Sequence, residues 1–322
     1  MIPHAAIPPS VQAVLACPRC RKPLKAGKQR LVCRGISCRA VYPVVRGIPI
    51  LVDERSSLFS IDALVNEAEQ GFPAKRSKGR AVFSRLVPGI SFNVTSRRNY
   101  ERFGGLLSLK ARQPLVLVVG GGVLGKGMEP LTGRARMVLV ETDVRIGPRT
   151  MLVCDAHSLP FADEAFDGVV VQAVLEHVVD PVRCVREIHR VVRSDGLVYA
   201  ETPFIQQVHM GAYDFTRFTH LGHRRLFRAF DEIDSGAACG PGMALAWSYR
   251  YFLLSFVRSR RMRAFLTAFS GFTAFPLAWF DRFLVNRPGA LDAASSFFFM
   301  GRKSNRPIPD RDLVAMYRGL FC

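Results

Sequence analysis

The chain has 322 residues, 49% hydrophobic and 22% charged, which excludes a disordered polymer and allows one large domain plus a small one. With 45 Lys and Arg against 26 Asp and Glu, the formal charge of +19 favours polyanionic partners: nucleic acid, an anionic membrane face or acidic substrates. The first 15 residues lack the charged start, apolar run and cleavage site of a secretory leader, so a cytoplasmic location is expected.

Cys17-Pro-Arg-Cys20 is followed by Cys33-Arg-Gly-Ile-Ser-Cys38. Two such pairs can place four thiolates around one Zn²⁺ in a closed tetrahedral site, which leaves no position for water and is structural rather than catalytic. The segment is too short to bury a core, so metal binding would supply much of its folding free energy. The following "YPVVRGIPILV" completes a pattern that resembles the Trm112-like zinc-ribbon family over about Val14 to Asp53. Members of that family are often fused to, or partnered with, methyltransferases.

Residues 55–110 are polar and mixed, with "AKRSKGR" at 74–80, and read as a linker and helical entry. Leu115 to Val119 is a short apolar run expected to form a buried parallel strand. Gly120, Gly122 and Gly125 then fit G-x-G-x-x-G, where glycine lets the backbone turn sharply and approach a ligand. "RMVLVETD", Arg136 to Asp143, is the next expected strand. It ends in Glu141 and Asp143, placed to accept from ribose hydroxyls. Up to this point a nicotinamide cofactor and S-adenosylmethionine fit equally well.

Downstream stand Asp155, Leu159-Pro160-Phe161, Phe166-Asp167, the run Val169 to Val171, and Leu175-Glu176-His177. In that order they resemble the class I S-adenosylmethionine-dependent methyltransferases, the methyltransferase type 11 group. "SSFFFMGRK" looks like that fold's antiparallel last strand, and the resemblance covers about Pro114 to Lys303. It implies an α/β fold: a Rossmann-like seven-stranded sheet with helices on both faces, preceded here by the small zinc ribbon. It further implies that Gly120, Gly121 and Gly122 cradle the methionine moiety. Glu141 and Asp143 would serve the ribose, Asp155 with Ala156 the adenine edge, and Gln172 or Val171 the sulfonium. Val118 replaces the family's acid two residues before the first glycine, which commonly orients the methionine amino end. His177 has two readings, a core residue or a site residue.

The expected organisation is a ribbon at 12–54, the linker, a methyltransferase domain at 111–304 with an apolar insert at 237–292, and a tail at 305–322. The loop after the fifth strand is rich in His209, Tyr213, Asp214, Arg217, His220 and His223. Methyl transfer to a hydroxyl needs alignment and a base. His209 and Asp214 are the candidate bases, and Arg217 could pair with an anionic group of the substrate or with Asp214 itself. The spacing of His209, His220 and His223 matches no familiar metal site. Ala264 to Phe280 is 17 residues without a charge, after "RSRRMR". It is short for a span and broken by Gly271 and Pro276, so a buried helix or contact of residues 258–285 with an anionic membrane is expected. The expected activity is methylation of a hydroxyl on a small molecule, glycan or lipid. RNA methylation through the ribbon and basic surface, or a non-catalytic partner module, are the alternatives.

Overall fold

The computed structural model describes residues 7–70 and 87–320; the 74–80 run lies outside the described residues. Its framework is one sheet of eleven strands. In chain order they are β1 Leu24–Ala26, β2 Arg30–Cys33, β3 Val41–Val45, β4 Ile48–Leu51, β5 Leu115–Val119 and β6 Val138–Asp143. β7 Leu152–Cys154, β8 Phe166–Gln172, β9 Val192–Pro203, β10 Phe230–Cys239 and β11 Ser296–Lys303 follow. The spatial order is β1-β2-β3-β4-β7-β6-β5-β8-β9-β11-β10. β4, β7, β6, β5, β8 and β9 run parallel, and β11 is antiparallel to both β9 and β10.

All five residues of β5 are buried, as a parallel strand covered on both faces requires. Alternation along the strand divides them between two cores. Leu115, Leu117 and Val119 pack with Val185, Ile188 and Val191 of helix Pro181–Val191, whereas Val116 and Val118 pack with Tyr100, Phe103 and Leu107 of helix Ser96–Lys110. Val118 is thus a core residue, 4% exposed, and contributes no carboxylate to the loop beyond it.

The ribbon is joined to the large sheet edge to edge. A two-residue turn at Arg46 (φ 51°) and Gly47 (φ 81°) closes the β3–β4 hairpin, the left-handed pair a tight hairpin needs. β4 then pairs in parallel with β7, Ile50 opposite Val153 and Leu51 opposite Cys154. This covers an edge strand that would otherwise present unpaired backbone. Ile48, Ile50 and Val52 also pack on Leu64 and Val65 of helix Ile61–Gln70, so the start of the expected linker belongs to the seam. Glu187 ties the two parts as well, accepting from Arg21 (3.0 Å), Arg190 (2.6 Å) and the Leu159 amide (3.0 Å).

Two boundaries move. The second expected strand begins at Val138 rather than Arg136, because Arg134 to Met137 form a turn. The insert, expected at 237–292, turns helical only at Pro241, since Ala237 and Cys239 still pair with β11. It is a hairpin of helices Pro241–Ser255 and Arg260–Trp279. A Cβ on Gly242 would meet the Leu277 carbonyl at 2.0 Å, so the helices touch at backbone distance. Buried Asp281 accepts from the Gly242 (2.7 Å) and Met243 (2.8 Å) amides and caps the first helix. No helix among the described residues is long and apolar enough to cross a membrane.

Candidate functional site

The four ribbon cysteines converge. Their sulfurs all lie within 4.8 Å of one another, with Cys20 to Cys33 at 3.3 Å and Cys17 to Cys38 at 3.8 Å. Four thiolates about 2.3 Å from a zinc ion stand about 3.8 Å apart, so this donor set fits a tetrahedral site. Each pair sits on a knuckle closed by a left-handed arginine. Arg21 (φ 62°) donates its amide to the Cys17 carbonyl and Arg39 (φ 46°) to that of Gly35, at 2.7 and 3.2 Å. A Cβ on Gly35 would stand 3.2 Å from Cys20 Sγ and 3.3 Å from Cys33 Sγ, so the loop packs directly on the sulfurs.

The glycine loop lies at the carboxyl end of β5, where open α/β sheets bind ligands. Gly120 has φ +75°, and a Cβ there would strike Val174 at 2.3 Å. Gly122 donates to Asp143 Oδ2 at 3.0 Å, and a Cβ on it would stand 2.7 Å from that oxygen. The loop leads into a helix of one turn only, Glu129–Thr132. Its own amides and neighbouring side chains, rather than a long helix terminus, must therefore receive a ligand.

The expected cofactor residues divide in the structure. Asp143 is half-buried at the tip of β6, with its carboxylate oriented by the Gly122 and Arg145 amides. Glu141 points instead to Arg149, 2.5 Å away, and burial raises its carboxyl despite that partner. Asp155 is 4% exposed and already holds the His157 amide (2.9 Å), the His157 ring (2.6 Å) and the Ser57 hydroxyl (2.5 Å). Ser57, which follows the ribbon, thus occupies the carboxylate assigned to the adenine edge. Ala156 beside it is buried at the end of β7. Gln172, at the tip of β8, donates to Glu201 (2.7 Å), Ser96 (3.2 Å) and the Lys126 carbonyl (3.1 Å). Its Oε1 is buried without a partner and faces Gly125, where a Cβ would come within 2.1 Å. A glycine-lined loop with an orphaned acceptor suits a ligand carrying an ammonium group, so these residues fit S-adenosylmethionine.

Sequence reading missed Glu201. It is 5% exposed on β9 and accepts from Ser96 (2.5 Å), Asn93 (2.8 Å), Gln172 and Tyr199. Ser96 and Asn93 lie before the domain's first strand, and nothing in their spacing points to β9.

The loop after β9 folds back over the end of β8. Arg217 grips Asp214 through both terminal nitrogens, one at 2.8 Å, and also donates to the carbonyls of Gln206 and Gln207. That guanidinium holds the Asp214 carboxyl well below the usual carboxylate range, so Asp214 stays ionised and is a poor base. Asp214 Oδ2 in turn accepts the His209 amide at 2.9 Å and lies 3.5 Å from its ring Nδ1. His209 packs edge-on against His177, centroids 4.7 Å apart, and both face Glu176. Glu176 is 1% exposed, and burial pushes its carboxyl up to about 8. His220 and His223 part from this group: helix His220–Leu226 turns both into the core, 6% and 2% exposed.

Two family matches cover parts of the chain: residues 130–200 match "Methyltransferase domain" and residues 12–47 match "Trm112p-like protein". No curated protein matches. Among solved structures, a Burkholderia thailandensis 1,6-didemethyltoxoflavin N1-methyltransferase with bound S-adenosylhomocysteine is 15% identical, covering 88% of this chain and 100% of its own, at a TM-score of 0.38. A complex of the Haloferax volcanii Trm112 methyltransferase activator with a candidate methyltransferase is 15% identical, covering 67% and 96%, at 0.38. The Haemonchus contortus phosphoethanolamine N-methyltransferase 2 bound to S-adenosyl-L-methionine is 14% identical, covering 73% and 62%, at 0.37. The strand order and the four-cysteine donor set accord with those two partial matches, a segment similar to Trm112p-like proteins at 12–47 and one similar to methyltransferase domains at 130–200, joined in one sheet.

Proposed function

We propose that this protein moves a methyl group from S-adenosylmethionine to a hydroxyl of a small molecule, glycan or lipid. The observation that carries the reading is a contact between two clusters. Val174, which leads into Glu176 and His177, packs against Gly120 of the cofactor loop. Cofactor loop and histidine cluster therefore share one end of the sheet, at the spacing of adjacent strands. When bound, S-adenosylmethionine supplies the electrophilic methyl group. Gly120, Gly121 and Gly122 admit its methionine end, Gln172 Oε1 accepts from its ammonium in place of the missing acid, and Asp143 receives the ribose. Arg217 and Asp214 hold His209 in place, and the acceptor hydroxyl gives up its proton in the cluster His209 forms with Glu176 and His177. Ala156 borders the adenine, whose amine reaches Asp155 only by displacing Ser57.

Calorimetry with S-adenosylmethionine tests the cofactor half. Wild type and His209→Ala should bind, whereas Asp143→Ala should not; a wild type that fails to bind refutes the reading. A transfer screen over cell extracts tests the chemistry, and turnover by wild type but not by His209→Ala is the expected result.

The exposed tip of the insert hairpin favours a lipid-borne acceptor. Phe256 and Phe265 are 73% and 61% exposed there, with Arg258, Arg260, Arg261 and Arg263 between them. Apolar rings ringed by arginine match an anionic bilayer surface. The protein should cosediment with phosphatidylglycerol vesicles at low salt, and replacing the four arginines with glutamate should abolish it; equal binding by both variants overturns the membrane assignment.

A further inference from the structure

The cluster of Glu176, His177 and His209 has features that proton transfer alone does not explain. Glu176 is buried, yet its Oε2 has no hydrogen-bond partner. An unpaired carboxylate oxygen in the interior is costly. Two imidazoles stand beside its other oxygen, with His177 Nε2 at 3.8 Å and His209 Nε2 at 4.0 Å from Oε1.

Both rings are held from behind. His177 Nδ1 lies 2.8 Å from the Tyr213 carbonyl, which can only accept, so Nδ1 carries the proton and Nε2 presents a lone pair. His209 Nδ1 lies 3.3 Å from the Gln207 carbonyl and 3.5 Å from Asp214 Oδ2, with the same consequence. A carbonyl or carboxylate behind a histidine is the usual support of a metal-ligating imidazole. Asp214 is in turn fixed by Arg217, whose charge is spent on that pair and on backbone carbonyls.

The three ligand atoms lie within 4.8 Å of one another. Bonds of about 2.1 Å require ligand atoms about 3.4 Å apart, so Oε1 must close on each ring nitrogen by about half an ångström and the two nitrogens on one another by at most about 1.4 Å, within reach of side-chain rotation. Two imidazoles and one carboxylate favour a first-row transition ion over Mg²⁺ or Ca²⁺, and three ligands on one side leave positions open. His177 and His209 side chains are 19% and 34% exposed, so the open side meets solvent and an entering molecule.

We propose that Glu176, His177 and His209 bind a divalent transition-metal ion at the acceptor end of the cleft, separate from the four-cysteine zinc site. Resting on the proposed methyl transfer to a hydroxyl, the ion has a second consequence. A dication beside the acceptor oxygen lowers its pKa, and with His177, His209 and Glu176 committed to the ion the hydroxyl proton passes to solvent water at the open side rather than to the cluster.

The test is metal counting and Co²⁺ titration on the full chain with its ribbon zinc in place. Wild type should take up one Co²⁺ beyond the ribbon metal, with ligand-field bands and no thiolate charge-transfer absorption. His209→Gln and Glu176→Gln should each lose that equivalent, and Cys17→Ser should lose only the other. Asp214→Asn, which changes the group behind His209, should weaken Co²⁺ binding by about 10- to 100-fold. The proposal is overturned if wild type binds no second ion among Co²⁺, Mn²⁺ and Zn²⁺, or if both glutamine variants bind it like wild type. S-adenosylmethionine calorimetry on the same samples separates failure of the metal site from failure of the methyltransferase reading.

Discussion

His220 and His223 give a prediction whose size follows from burial. Helix His220–Leu226 drives both rings into the sheet, His223 beside Phe227 and Phe299 and His220 beside Phe297. His223 Nε2 and His220 Nδ1 find no hydrogen-bond partner there. Burial is the largest cause for each, with further opposition from Arg318 and Arg224 at His220, softened by Glu232 and Asp292, and from His220 and Arg224 at His223. The result is a fall to about 4 for His220 and about 3 for His223. An unfolded histidine titrates near 6.5. Its folded pKa is therefore lower, the unfolded chain binds the extra proton, and stability present above the unfolded pKa is lost as pH falls. From pH 7 to pH 5 the unfolded chain gains most of one proton per histidine and the fold almost none, a loss of about 2 kcal/mol each. Urea unfolding of wild type and His223→Leu at both pH values isolates this, because other titrating groups cancel in the comparison. Wild type should lose about 2 kcal/mol more than the variant between pH 7 and pH 5. Identical pH dependence would show that His223 is not buried as a neutral ring.

Glu187→Ala should destabilise by about 1–3 kcal/mol in urea melts, since it unpairs the buried Leu159 amide, cuts the ribbon's Arg21 contact and removes one of the two carboxylates on Arg190, which keeps Asp163. Glu187→Gln should recover part of that loss. Cys17→Ser should eliminate ribbon zinc by metal analysis and lower the melting temperature while leaving S-adenosylmethionine binding intact; a zinc-free variant as stable as wild type would contradict a structural metal. Gly122→Ala should cost about 1–3 kcal/mol or displace Asp143, because its Cβ would press on Oδ2, and should weaken cofactor binding in calorimetry.

Much of the architecture could be read from local pattern. Four cysteines on two short turns, an all-apolar run entering a glycine loop, and acids closing the next strand each depend on residues a few positions apart. These are the ranges over which backbone sterics and side-chain alternation act. Pairings across the chain could not be read in that way. The sequence shows Ser57 as one polar residue in a linker, whereas the fold brings it to Asp155. It shows His209, His220 and His223 as one histidine-rich loop, whereas a single helix start at His220 turns the last two into the core and leaves His209 outside.

By itself, then, the sequence determined the two modules, the sheet's central strands, the thiolate donor set and the glycine–acid loop, because each is written in short-range spacing. Only the tertiary structure decided that β4 extends the edge of β7, that Asp214 is committed to Arg217, and that Glu176 and His177 meet His209 across the 31 positions between His177 and His209. Those contacts depend on how a parallel sheet lays the ends of distant strands side by side, and no local periodicity encodes that.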